Sequence, residues 1–309
     1  MKFVVTGAGQ IGQELAVQLL QQGHAVTVVR RSAIQVRGTR TVQSDVGDRR
    51  MLARELSGAA AVFHCVHTAY NPSAWRRDLP ARETAVMDAA ADLGIPVVFP
   101  ESVYAFGREI RPLIENSEPT PCSPLGEVRA ELIQARARHR ATTVSVVAGD
   151  LVGHGATSKG SIPTATVIEP TRRGQTAWVL GDPDARHAMT VVADLARAMI
   201  AAALNAHDLT ATGSAVLNAP SPQAVSMREL ASLVAQQAGR AEPKVREAPA
   251  WPLRVLGTVS PTTRSLWHQR YLWNQPSTLA AGLLSTACGV SATPWAEALP
   301  PLPKATAGK

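Results

Sequence analysis

Thr6-Gly7-Ala8-Gly9-Gln10-Ile11-Gly12 lies between the apolar run Phe3-Val4-Val5 and an amphipathic stretch that opens at Gln10. Its reading decides the fold. A buried strand, three glycines spaced GxGxxG and a helix is the arrangement that cradles a dinucleotide pyrophosphate. Gly7 permits the tight turn, Gly9 lets backbone approach the phosphates, and Gly12 brings helix and strand together. The backbone of Gln10 and Ile11 then presents free N–H groups, at the positive end of the helix dipole, to an anion.

The pattern continues outward from this turn. Ile11, Leu15, Leu19 and Leu20 recur at helical spacing and Gly23 closes the helix. Strands are expected at 25–29, 40–43, 60–66, 96–99 and 142–147, with helices at 49–56, 82–93 and 126–140 between them. This alternation predicts an α/β chain, a Rossmann-type doubly wound parallel sheet, with a smaller mixed C-terminal region on the substrate side. The expected organisation is a dinucleotide-binding domain over 1–150, with 182–210 packing back on it. A substrate-side region would comprise 151–181 and 211–300, and 301–309 would be a disordered tail. Ser226, followed three residues later by Glu229, marks a capped helix.

Composition narrows the function classes. With 45% hydrophobic residues in 309, a packed core is affordable. No apolar run reaches about 18 residues and no signal peptide is legible, so neither a membrane association nor secretion is expected. The net charge of +7 is spread over isolated pairs such as Arg49-Arg50 and Arg172-Arg173, and aromatics are 4%, so nucleic acid is not the expected partner. Three scattered cysteines, Cys65, Cys122 and Cys288, fit packing roles in a reducing cytoplasm and supply no metal-ligand spacing. A small molecule is the expected partner, and a homodimer stays open.

The choice of cofactor turns on the end of the second strand. An acidic residue there would bind the 2′-hydroxyl of NAD, but this chain has Arg30-Arg31-Ser32, groups suited to a 2′-phosphate. NADP(H) is therefore the expected cofactor. Asp45 either meets the adenine edge or caps the next helix, and His64 closes the fourth strand at the cofactor edge.

These motifs, with Ser44-Asp45-Val46, Phe63-His64, Ser102-Val103-Tyr104-Ala105-Phe106-Gly107 and the run Met189 to Asp194, resemble the extended short-chain dehydrogenase/reductases, in the NAD(P)-dependent epimerase/dehydratase branch. The resemblance implies a catalytic Tyr, which moves the substrate proton, and a Lys four residues later, which lowers the Tyr pKa and holds the nicotinamide ribose. The matching stretch here is Ser123-Pro124-Leu125-Gly126-Glu127-Val128-Arg129. Leu125 replaces the Tyr and Arg129 the Lys, which marks the chain as an atypical member.

Three readings follow. In the first, the protein is an NADP(H)-dependent oxidoreductase reducing a carbonyl or conjugated small molecule. Tyr104 is then the leading proton donor, with Ser102 or water as a relay, and Arg129 holds the ribose and stabilises the alkoxide. In the second, it binds NADP(H) without turnover, like atypical relatives resembling fungal nitrogen-metabolite regulators. In the third it is a sugar-nucleotide epimerase or dehydratase. On the substrate side Arg186 and His187 are carried over as pocket-lining groups. Glu101 reads either as an acid of raised pKa or as a solvated carboxylate. His67 reads as structural, and Trp251, Trp267, Tyr271 and Trp273 read as small-domain core or aromatic pocket lining.

Overall fold

The structure, a computed structural model, describes residues 1–107 and 112–299. The expected tail at 301–309 lies outside the described residues. Strand β1 (Lys2–Thr6) feeds helix α1 (Gln10–Gln21), followed by β2 (Ala25–Arg30), β3 (Arg40–Gln43), α2 (Arg49–Leu56) and β4 (Ala61–His64). Helix α3 (Pro72–Asp92), β5 (Val97–Ser102), α4 (Pro124–Arg138) and β6 (Thr143–Ala148) complete the first half. Beyond it come β7 (Asp150–Val152), α5 (Glu169–Arg172), β8 (Ala177–Val179), β9 (Arg186–His187), β10 (Met189–Val191), α6 (Val192–Leu204), α7 (Ala206–Leu209) and β11 (Ser214–Asn218).

Seven strands form one sheet in the order β11-β6-β5-β4-β1-β2-β3, every pairing parallel. The strand order reverses between β1 and β4, so the crevice of a doubly wound sheet opens above Thr6, which is in register with His64. Both faces of the sheet are covered, as parallel strands require. On one face Phe3, Val5, Leu15 and Leu19 meet Ala198 and Met199 of α6; on the other Val4, Val62 and Phe99 meet Leu52, Leu56 and Val86. Each such side chain contributes about 1.5–3 kcal/mol on burial.

A second apolar core, built from Val152, Ile168, Met189, Leu230 and Trp273, holds the later elements together. The Ser226 hydroxyl accepts from the Glu229 N–H while the Glu229 carboxylate accepts from the Ser226 N–H, the reciprocal cap expected from the sequence.

Two element assignments need correction. Residues 214–218, grouped by sequence with the substrate side, are the edge strand of the main sheet. Their alternation is masked because Ala215 and Leu217 pack inward while Val216 is half-buried. Helix α3 begins ten residues before the expected start at 82, because Asn71 caps it through the Ala74 N–H and Pro72 opens it. Pro80 lies inside this helix, where its missing N–H costs a hydrogen bond.

Candidate active site

The cofactor mouth is shaped by what its glycines exclude. At Gly7, φ is +87°, and a Cβ there would lie 2.7 Å from the Cys65 carbonyl oxygen; at Gly12 it would lie 2.0 Å from the carbonyl oxygen of Gly7. Gly9, the N-cap of α1, differs: a Cβ there would meet nothing within 4 Å, and no side chain caps the first turn. The helix N-terminus therefore faces open space bounded by backbone, a cradle that fits a pyrophosphate. The Gln10 side chain is turned away, its amide bonded to the Gly160 carbonyl and the Thr157 N–H.

On one side of Gly9 lies a hollow of about 340 Å³ lined by Arg30, Arg31, Ser32, Ser44, Asp45 and Arg82. The Asp45 carboxylate accepts from the Gly47 N–H at 2.8 Å. It does not cap the following helix: Asp48 does, through the Arg50 and Met51 N–H groups.

On the other side lies a cleft of about 440 Å³ whose walls include Gln10, Ile11, Gly12, His64, Ser102 and Tyr104. Tyr104 sits on the short 3₁₀ turn Val103–Phe106 that follows β5, its ring stacked 6.4 Å from Trp75 at 8°. The Tyr70 hydroxyl donates to the Tyr104 hydroxyl at 3.0 Å. Burial, and the negative charge of Asp150, push the Tyr104 hydroxyl up to about 12, and burial drives that of Tyr70 upward as well.

The Arg129 guanidinium lies 4.6 Å over the Trp75 ring and donates to His67 Nε2 at 3.2 Å. His67 thus accepts there, while its Nδ1 meets the Thr68 carbonyl; burial and Arg129 push it down to about 4, so it is neutral. Glu101 is neither solvated nor free. It is buried and ion-paired with Arg136 at 2.7 Å, beside Arg129 at 3.5 Å; Glu83 grips the other edge of Arg136 at 2.6 Å. A carboxylate at this depth is tolerated because the guanidiniums neutralise it.

Four buried polar atoms of residues on this one cleft have neither a hydrogen bond nor an ion pair among the described residues: His64 Nε2, Trp75 Nε1, Ser102 Oγ and His187 Nε2. The Thr6 hydroxyl donates to the Phe63 carbonyl at 3.4 Å and so accepts from His64 Nδ1–H at 2.8 Å, which leaves His64 Nε2 as an acceptor. Burial pushes His64 down to about 3 and His187 down to about 4. Orphaned groups converging on one cleft are what a bound polar ligand would satisfy.

Other expectations change on inspection. Arg186 is not in the cleft: it is half-exposed on β9 and ion-paired with Glu229, because alternate residues of a strand face opposite ways and His187 takes the inward side. Leu125 is 2% exposed, packed against Trp75, Leu79, Val128 and Leu132. Cys122 is exposed, while Cys65 and Cys288 are half-buried. Trp273 is core, but Trp251 is 69% exposed.

The residue that sequence reasoning missed is Asp150. It lines the cleft at the start of β7, and its Oδ2 accepts from Trp273 Nε1 at 2.8 Å. Burial pushes its carboxyl up to about 6. Tyr70 and Trp75 were missed too. No local motif announces these three, because α3 and β7 bring them to Tyr104 only in the folded chain.

Solved structures share this fold across nearly the whole chain. The NAD complex of UDP-glucose 4-epimerase from Brucella ovis aligns with a TM-score of 0.73 at 20% identity, covering 96% of each chain. UDP-N-acetylglucosamine 4-epimerase from Bacillus cereus aligns with a TM-score of 0.74 at 16% identity, covering 97% of this chain and 94% of that one. The Bordetella bronchiseptica enzyme WbmH in complex with NAD+ gives 0.70 at 19%, covering 96% and 95%. No curated protein matches the sequence. The model of the NAD dependent epimerase/dehydratase family matches residues 3–216, and the chain belongs to that family.

Proposed function

We propose that the protein is an NADP(H)-dependent oxidoreductase that reduces a carbonyl or conjugated small molecule. A nicotinamide dinucleotide fits the mouth of α1, and its ring, when bound, supplies hydride. Backbone at Gly7, Gly9, Gln10, Ile11 and Gly12 would hold the pyrophosphate, with Arg30, Arg31 and Ser32 taking the 2′-phosphate. Arg129 would lie along the ribose and stabilise negative charge on the substrate oxygen.

The observation that carries this reading is the state of Tyr104. Its side chain lines the cleft in an aromatic nest with Tyr70 and Trp75, and its hydroxyl is held near 12, above the ordinary tyrosine range. A phenol so placed keeps its proton at neutral pH. It gives that proton readily to an alkoxide, which is a far stronger base, but it is a poor base itself. Reduction needs a proton donor. Epimerisation and dehydration of a sugar nucleotide begin with removal of a hydroxyl proton, for which the family's Tyr would serve and the buried Leu125 cannot.

The test is NADPH oxidation by the purified protein against a panel of ketones, enones and quinones. Turnover is expected for at least one class, and Tyr104→Phe should lower kcat by about 100-fold with NADPH affinity unchanged. Full turnover in Tyr104→Phe would remove Tyr104 from the chemistry. The built-in Leu125 also favours a second reading, an NADP(H) sensor without turnover, which predicts tight NADPH binding and silence across the panel. Interconversion of UDP-hexoses without net NADPH use would instead assign an epimerase.

A further inference from the structure

Among the described residues, Asp150 is the one carboxylate lining the cleft with no ion pair. The other two, Glu83 and Glu101, are consumed by Arg136 and Arg129. Its backbone is fixed at the head of β7 by pairing with Met189 of β10, and one carboxylate oxygen is held by the Trp273 indole. The groups that share its surroundings are Tyr104 and Tyr70, both of which feel its charge, His187 next to its partner strand, and Arg129, His67 and Lys159 on the cleft wall. Neither His67 nor His187 carries a proton to give near neutrality, since burial holds both near 4. Tyr70 is itself a phenol that burial pushes upward, so it is no more ready a proton source than Tyr104.

We propose that Asp150 is the proton reservoir of the cleft, returning a proton to Tyr104 after each reduction; this rests on reading the cleft as a reductase site. The bookkeeping is simple. The Tyr104 O–H bond breaks as the O–H bond of the product alcohol forms. The Asp150 O–H bond then breaks as that of Tyr104 is remade, and the resulting carboxylate takes a proton from water once product leaves. No electrons move in this relay. The direction of transfer is downhill, because a carboxylic acid near 6 faces a phenolate whose conjugate acid lies near 12.

The experiment compares wild type, Asp150→Asn and Trp273→Phe. Asn keeps an oxygen for the Trp273 N–H but cannot titrate. In the protein alone, tryptophan fluorescence should show an inflection near pH 6 in wild type that is absent in Asp150→Asn. With saturating NADPH and substrate, wild-type kcat should fall about tenfold per pH unit above that point. Asp150→Asn should be flat, and about 100-fold slower at the wild-type optimum. Trp273→Phe removes a bond that favours the carboxylate, and the fluorescent reporter with it, so it is read by kcat alone, whose limb should move to higher pH. A wild-type pH profile in Asp150→Asn, with Tyr104→Phe still crippled, overturns the reservoir and leaves the reductase reading standing. Absence of the fluorescence inflection also overturns the reservoir. No turnover by wild type on any substrate of the panel removes both.

Discussion

Gly7, Gly9 and Gly12 stand in one short turn, whereas Tyr70, Trp75, Tyr104, Arg129 and Asp150 reach the adjoining cleft from separate elements. The two regions share a wall and face the same crevice of the sheet, yet they hold their geometry differently. The mouth is fixed by local backbone sterics: added atoms at Gly7 or Gly12 collide with backbone that cannot give. The cleft is fixed by side chains that brace one another, through Trp75 between Tyr104 and Arg129, and through Arg136 between two glutamates. A turn tolerates almost no substitution, while a braced cleft can trade residues and change its chemistry.

The largest expected effect tests the mouth. Gly12→Ala should cost about 3 kcal/mol or more, or abolish folding, because its methyl would lie 2.0 Å from the Gly7 carbonyl oxygen. Gly9→Ala is the contrast. Gly9 has a φ of −77°, which alanine adopts freely, and its Cβ would enter open space, so the melting temperature should be unchanged. NADPH affinity should nevertheless fall at least about tenfold, because the space is the phosphates' own. Equal melting temperature and equal Kd in Gly9→Ala would break the distinction between a glycine kept for the fold and one kept for the ligand.

The cleft, by contrast, should prove to be held at a cost. The Asp150 carboxyl is raised from 3.8 to about 6, so the folded state holds its proton more tightly than the unfolded chain. That contribution to stability is complete below about pH 4 and is lost as pH rises through about 6. Asp150→Asn should therefore be more stable than wild type at neutral pH, by about 3 kcal/mol, with the gap closing toward pH 4. Denaturant melts at the two pH values check the sign, and a gap that widens at low pH would contradict the burial argument.

Restoring the residue the family leads one to expect should not restore its chemistry. Leu125 fills an apolar niche among Trp75, Leu79, Val128 and Leu132, and the cleft hydroxyl is already supplied by Tyr104 on another element. Leu125→Tyr should lose about 1–3 kcal/mol from overpacking and gain no turnover. A gain in kcat would show that the niche opens onto the substrate after all.

This contrast also explains what could be read before folding. The strand, GxGxxG and helix at residues 3–21 are a local instruction, and the order of strands around the crevice follows from right-handed crossovers. Tyr104 was legible because its strand-end position follows from β5 itself. Asp150 was not: the place proposed for it depends on Trp273, far along the chain, and on Arg136 and Arg129 pairing with the glutamates instead. Arg186 was misplaced for the opposite reason, since one step of strand register separates it from His187 and reverses its face.

The smallest effect sharpens the comparison at its outer edge, where the mouth hands over to side chains. Arg30 and Arg31 line the hollow beyond Gly9 with Ser32, and among the described residues the Arg30 side chain bonds only the Ile34 carbonyl, at 3.3 Å. If these guanidiniums choose the phosphorylated ribose, Arg30→Ala and Arg31→Ala should each weaken NADPH binding about tenfold, the worth of one charged hydrogen bond at roughly 1.5 kcal/mol. NADH binding should stay constant, since backbone at Gly7 to Gly12 carries the pyrophosphate in both. Added salt should narrow the NADPH deficit, because exposed charges are screened. Parallel losses for the two cofactors would place both arginines outside the site and leave the preference to Ser32 and the shape of the hollow.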